Sequence, residues 1–117
     1  YHPRMGRGIY ATRSIPNNTL IWTEDYTAHF TQGWQFRKFL MQVPPDIACD
    51  LMIWSYAIHD GSGSGAIVCS DLDAGSLLNE GSRRSEVNTV ERNVEGGRGV
   101  YSMRAIDAGE QILMNYN

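Results

Sequence analysis

Cysteine is almost absent: Cys49 and Cys69 are the only two in 117 residues, and neither belongs to a CxxC pair. A disulfide framework is therefore excluded, no structural zinc site is expected, and a reducing compartment is expected. Lysine is scarcer still, since Lys38 is the only lysine among ten basic residues, against thirteen acidic ones. A net charge of −3 argues against sequence-independent nucleic-acid binding and permits a basic partner. Long apolar runs are also missing. No stretch approaches the roughly 18 to 20 apolar residues of a membrane span, and Tyr1-His2-Pro3-Arg4 does not begin a signal peptide. An intracellular protein, nuclear or cytoplasmic, with no membrane association is the expectation. With 42% hydrophobic and 20% charged residues, the chain suits a single domain over 1–117 with a small core. A start at Tyr1 rather than Met, and an end just after Ile112-Leu113-Met114, suggest a domain excised from a longer chain.

What is present begins with a repeat. Residues 7–15, Arg-Gly-Ile-Tyr-Ala-Thr-Arg-Ser-Ile, align without gaps on residues 98–106, Arg-Gly-Val-Tyr-Ser-Met-Arg-Ala-Ile. Each copy leads into a turn, Pro16-Asn17-Asn18 or Asp107-Ala108-Gly109, and then into apolar residues, Leu20-Ile21-Trp22 or Ile112-Leu113-Met114. Each reads as strand, turn, strand. Two copies at opposite ends of a chain cannot stack as a solenoid, so they are expected to pack together and bring the termini close.

Between the copies the periodicity changes. Trp34, Phe39, Leu40 and Val43, then Ile47, Leu51, Trp54 and Ile58, recur at three- and four-residue spacings, which predicts two helices within about 31–58, split by Pro44-Pro45. Trp22, Trp34 and Trp54 fall on apolar-phase positions and are expected in the core. Asp60-Gly61-Ser62-Gly63-Ser64-Gly65 reads as a flexible loop, natural or an engineered linker. A short strand, Ala66 to Cys69, an acidic turn around Asp71 and Asp73, and a strand pair, 87–94 and 98–104, follow. His29 and His59 lack a partner at metal-ligand spacing, so no metal site is expected.

The glycine motif Met5-Gly6-Arg7-Gly8-Ile9-Tyr10 lets a ligand approach the backbone closely, but it has neither the third glycine of a dinucleotide fingerprint nor the Gly-Lys-Ser/Thr of a phosphate loop. Two later segments follow it in order. They are Leu77-Leu78-Asn79-Glu80-Gly81-Ser82 with Asn88 beyond, and Ala105-Ile106-Asp107-Ala108-Gly109-Glu110-Gln111-Ile112 ending in Asn115-Tyr116. Together they resemble the SET domain of protein-lysine methyltransferases, whose motifs read Gly-x-Gly, Asn-His-Ser followed by Pro-Asn, and Gly-Glu-Glu-Leu followed by Tyr. The resemblance covers nearly the whole chain. It implies a mostly β fold, the β-clip of small curved sheets, with a short helical insert and a C-terminal pseudoknot.

The resemblance also implies a site. Backbone groups of Gly6, Arg7 and Gly8 would line an S-adenosyl-L-methionine pocket, Asn79 would hold the cofactor's amino-acid end, and Tyr116 would be the catalytic tyrosine and touch the cofactor. Glu80 would contact the cofactor in place of the family's His, and Val87 stands where the family has Pro. Tyr26 and Tyr56 are candidates for the substrate-channel wall, and Tyr101 is another. The implied activity is N-methylation of lysine in a protein or peptide, a histone tail being the generic substrate. The alternative, motivated by Glu80, is a catalytically degenerate module of the same fold that binds a peptide or protein. Glu24, Asp25, Asp71 and Asp73 are acidic residues that could guide a basic peptide, or simply keep the surface soluble. Arg83-Arg84 reads as a solvated loop.

Overall fold

The computed structural model describes Pro3 and residues 6–59 and 65–116. Met5 and residues 60–64 of the expected loop lie outside the described residues. Among those described are eight short strands: β1 (Leu20–Thr23), β2 (Thr27–Phe30), β3 (Tyr56–His59), β4 (Ala66–Asp71), β5 (Asn79–Glu80), β6 (Thr89–Val94), β7 (Gly97–Ser102) and β8 (Leu113–Met114). Two α-helices accompany them, α1 (Gly33–Leu40) and α2 (Pro45–Trp54). The strands form three small sheets, ordered β1-β7-β6, β2-β4-β3 and β5-β8. The chain divides into two compact units, residues up to 25 with those from 77 onward, and residues 26–76.

The first unit is organised by the repeat. Ile15 and Ile106 hold the same position in the two copies and exchange both backbone hydrogen bonds, each 2.9 Å. Continued without gaps, the alignment makes Asn18 equivalent to Gly109, Thr19 to Glu110, Ala11 to Ser102 and Leu20 to Gln111. The bonds obey that equivalence: Asn18 N–H donates to the Ser102 carbonyl (2.8 Å), as Gly109 N–H does to that of Ala11 (2.7 Å). Likewise Ser102 N–H donates to the Thr19 carbonyl and Ala11 N–H to that of Glu110, both 2.9 Å. Leu20 faces Tyr101 while Gln111 faces Tyr10. Asn18 and Gly109 both have positive φ, 60° and 85°, a conformation open chiefly to Asn and Gly. The two copies thus pair around a local two-fold, as their similarity predicts, but residues 7–15, expected as a strand, form none and pair only through isolated bridges at Tyr10 and Ile15. Val100, Ile106, Ile112 and Leu113 are buried in this unit.

In the second unit, α1 starts where Gln35 Oε1 accepts the Gln32 N–H at 3.1 Å, and α2 starts at Pro45, whose missing N–H costs nothing in a first turn. Phe36 and Phe39 pack on Phe30 of β2, each with ring centroids 5.3 Å away. That choice of inward stripe corrects the expectation for Trp34. It lies two residues, about 200° of helix rotation, from Phe36 and is 60% exposed. Trp54 is likewise exposed rather than core. The second helix also stops earlier than expected. Ser55 is extended, and Tyr56 to His59 alternate half-buried and exposed as a strand on β4. Ile58 therefore belongs to β3, its spacing from Trp54 being coincidental with helical phase. β2 was not foreseen, β4 runs on to Asp71, and the later hairpin is shorter than expected, at 89–94 and 97–102. No described helix is long and apolar enough to cross a membrane.

Candidate active site

Three segments of the first unit converge on the C-terminal one. Residues 9–11 pair with it antiparallel: Ile112 N–H donates to the Ile9 carbonyl at 2.9 Å, and Tyr10 bridges Gln111. β5 pairs with β8 in parallel, Asn79 facing Leu113 and Glu80 facing Met114, and Gly81 N–H donates to the Met114 carbonyl at 3.0 Å. Asn88, wholly buried, reaches the same segment. Its Oδ1 accepts Leu113 N–H (2.8 Å), its Nδ2 donates to the Gln111 carbonyl (2.8 Å), and its own N–H donates to the Leu113 carbonyl (3.2 Å). The Thr89 hydroxyl adds a bond to that carbonyl at 2.9 Å. The C-terminal segment is laced on several sides, as a pseudoknot requires.

The glycine motif meets this knot. Asn79 Nδ2 donates to the Arg7 carbonyl at 2.8 Å. Gly6 has φ +70°, and Gly8 sits so close to two side-chain amides that an added Cβ would lie 2.2 Å from Gln111 Nε2 and 2.8 Å from Asn79 Nδ2. Gln111 Nε2 is buried and lacks a hydrogen-bond partner among the described residues. Gly6, Arg7, Gly8 and Asn79 are therefore brought together, and Gln111 joins them. Its signal in the sequence was its place as the second acid of the Gly-Glu-Glu-Leu pattern, where an amide stands instead.

Tyr116 is 63% exposed, and its hydroxyl donates to the Leu78 carbonyl. Glu80 is exposed and lines a cavity of about 490 Å³ with Ser82, Arg83, Arg84, Val87 and Asn115. Glu110, beside Gln111, is bonded through its side chain to Arg104, accepts the Asp107 N–H at 2.9 Å and receives Asn88 Nδ2 at 3.3 Å. The Arg104 bond above all, with the bonds from Asp107 and Asn88, outweighs partial burial and holds the Glu110 carboxyl down at about 2. Glu110 is thus a fixed anion that ties the turn to the knot. Tyr26 and Tyr56 belong to the second unit: Tyr26 is exposed, and the Tyr56 hydroxyl donates to Asp71 Oδ1 at 3.2 Å.

Small sheets knotted beside a glycine-led segment define a class, and comparison identifies it. A family model for the SET domain matches residues 6–117, and the chain belongs to that family of methyltransferases. Among solved structures it is similar to a Plasmodium falciparum protein described as a candidate histone methyltransferase. The identity is 17% and the TM-score 0.51, over 94% of this chain and 82% of the other, a likeness of fold. No curated protein matches the sequence.

Proposed function

We propose that this protein is an S-adenosyl-L-methionine-dependent protein-lysine N-methyltransferase acting on basic proteins, a histone tail being one substrate of that class. The observation that carries the reading is the meeting of Gly8, Asn79 and Gln111 beside the Arg7 carbonyl, with Tyr116 on the same C-terminal segment. These residues fit the cofactor. The Asn79 side chain spends an amide hydrogen on Arg7 and makes no other hydrogen bond among the described residues, so its Oδ1 can accept from an amino-acid ammonium. The absence of a side chain at Gly8 leaves the backbone approachable. When bound, the cofactor supplies a methyl group already activated on a sulfonium.

The protein's part is positioning and desolvation. The acceptor amine must be neutral, and a lysine of pKa about 10.4 is neutral in only about one molecule in 2,500 at pH 7, a deficit near 4.6 kcal/mol. A water-excluding channel would lower that pKa, since desolvation disfavours the ammonium. Tyr116 serves as an orienting group. Its hydroxyl donates to the Leu78 carbonyl, a phenolic oxygen suits weak CH···O contacts to a methyl group, and a phenol of ordinary pKa near 10 is a poor base at neutral pH.

Glu80 motivates a second reading, a module of the same fold that binds a peptide or protein without turnover. Its carboxylate lines the cavity where the family has His. Calorimetric titration with S-adenosyl-L-methionine separates the two. Micromolar binding, followed by methyl transfer to basic proteins, is the expected result. No binding by this chain or by one extended past Asn117 would overturn the transferase reading in favour of the second.

A further inference from the structure

The two helices of the second unit carry matching outward stripes. Phe36 and Phe39 turn α1 toward Phe30, which leaves Trp34, Arg37, Lys38 and Met41 on the other side, at i, i+3, i+4 and i+7. On α2 the same spacing recurs in Asp46, Cys49, Asp50 and Ile53. All eight are exposed, Trp34 by 60%, Met41 by 86% and Ile53 by 72%. Within one copy, therefore, the stripes do not cover each other. Their charges are opposite and unmet. Arg37 and Lys38 are the only basic residues of the lysine and arginine type in 26–76, and among the described residues neither they nor Asp46 and Asp50 form an ion pair or a side-chain hydrogen bond.

Each stripe supplies what the other lacks. With α1 of one copy laid antiparallel on α2 of another, the equal spacing brings all four positions into register. Trp34 meets Ile53, Arg37 meets Asp50, Lys38 lies over Cys49 between Asp46 and Asp50, and Met41 closes the far end. The same direction sets the positive N-terminal end of α1 against the negative C-terminal end of α2. We propose that the second unit forms a two-fold homodimer, α1 of each copy lying antiparallel on α2 of the other. A two-fold makes both contacts at once, because the short connection of residues 41–44 keeps the stripes on neighbouring helices. Apolar contact holds the copies together, while the charges fix the pairing and exclude α1 against α1. A basic or an acidic partner would suit one stripe and be repelled by the other, whereas a second copy suits both.

Analytical ultracentrifugation of the chain across a concentration series reads the association, with reductant present so that exposed Cys49 cannot cross-link copies. A reversible monomer–dimer equilibrium is expected. Arg37→Glu combined with Lys38→Glu should weaken the dimer at least about tenfold, because like charges then face each other, and Asp46→Lys combined with Asp50→Lys should do the same. An equimolar mixture of the two reversed proteins should dimerise again, each copy supplying the charge the other has lost, a rescue that misfolded variants could not give. A chain that stays monomeric would leave the stripes to a different protein and overturn the proposal. Open-ended growth beyond the dimer, reversals that leave the dimer intact, or a mixture that fails to associate would each overturn it as well. Neither cofactor nor peptide enters the measurement, so its outcome is independent of the calorimetric test.

Discussion

Asn88 grips Leu113 from both sides of one peptide unit, its side-chain oxygen accepting the Leu113 N–H at 2.8 Å while its backbone N–H donates to the Leu113 carbonyl at 3.2 Å. The amide orientation is dictated by the partners, since Leu113 offers a donor and the Gln111 carbonyl an acceptor, 2.8 Å from Nδ2. Asn88→Ala would strand both backbone groups in a site with no exposure. A loss of about 3 kcal/mol is expected, measured by urea denaturation. Asn88→Asp should also destabilise, because a carboxylate cannot donate to Gln111.

Glu110 sets an acid limit on stability. Its carboxyl is held down at about 2 by Arg104 first, then by Asp107 N–H and Asn88, against an ordinary value of 4.5. A depressed folded pKa contributes stability that is present above pH 4.5 and is lost as pH falls toward 2. With Arg104 45% exposed, solvent screening reduces the contribution to about 1 kcal/mol. Glu110→Gln should therefore narrow the stability difference between pH 7 and pH 3 by about that amount, read from denaturation midpoints at both pH values. An undiminished acid loss in the variant would place the titrating group elsewhere.

The repeat and the three motifs were legible because they are written in residue identity: Gly6 and Gly8, Asn79, Asn88, and the Gly109-Glu110 turn each do what no larger or apolar side chain could. Their pairing followed from similarity, since two like segments at opposite ends can satisfy each other's backbone, as Ile15 and Ile106 do in an isolated bridge. The second unit was less legible. Trp34 sits at helical spacing yet faces outward, because a periodicity names a face only after its packing partner is known, and that partner, Phe30 on β2, lay in a strand the pattern did not reveal. Tyr56 to His59 shows the same limit from the other side. A four-residue strand has too few alternations to compete with an apparent helical phase carried over from Trp54. Gln111 was read as a motif position and not as a neighbour of Gly8, because its contact is a matter of Å and not of spacing.

Gly8→Ala tests that neighbourhood. The new methyl would fall 2.2 Å from Gln111 Nε2 and 2.8 Å from Asn79 Nδ2, so both amides must move. Gln111 ends a flexible side chain, which keeps the stability cost at about 1 kcal/mol, but displacement of Asn79 from the Arg7 carbonyl disturbs the proposed cofactor cradle. Calorimetry should show affinity for S-adenosyl-L-methionine reduced at least about tenfold, or 1.4 kcal/mol, with a near-normal denaturation midpoint. Equal affinity in the variant would remove the glycine loop from the cofactor site.

Tyr116→Phe addresses the chemistry itself. The phenyl ring keeps its place on the C-terminal segment while the hydroxyl, and its bond to the Leu78 carbonyl, are lost. At a largely exposed residue that bond contributes only about 0.5–1 kcal/mol to stability, so the variant should fold. If the hydroxyl orients the reacting groups, kcat for methyl transfer should fall by about a hundredfold, the scale of a misplacement of about 1 Å, and peptide KM should change far less. The pH profile discriminates further. An orienting phenol leaves the rise of rate with pH to the substrate amine, so the residual activity of Tyr116→Phe should keep the wild-type profile. A profile that loses its rise together with the hydroxyl would instead make Tyr116 the proton acceptor, and the Leu78 carbonyl a brake that ionisation must release.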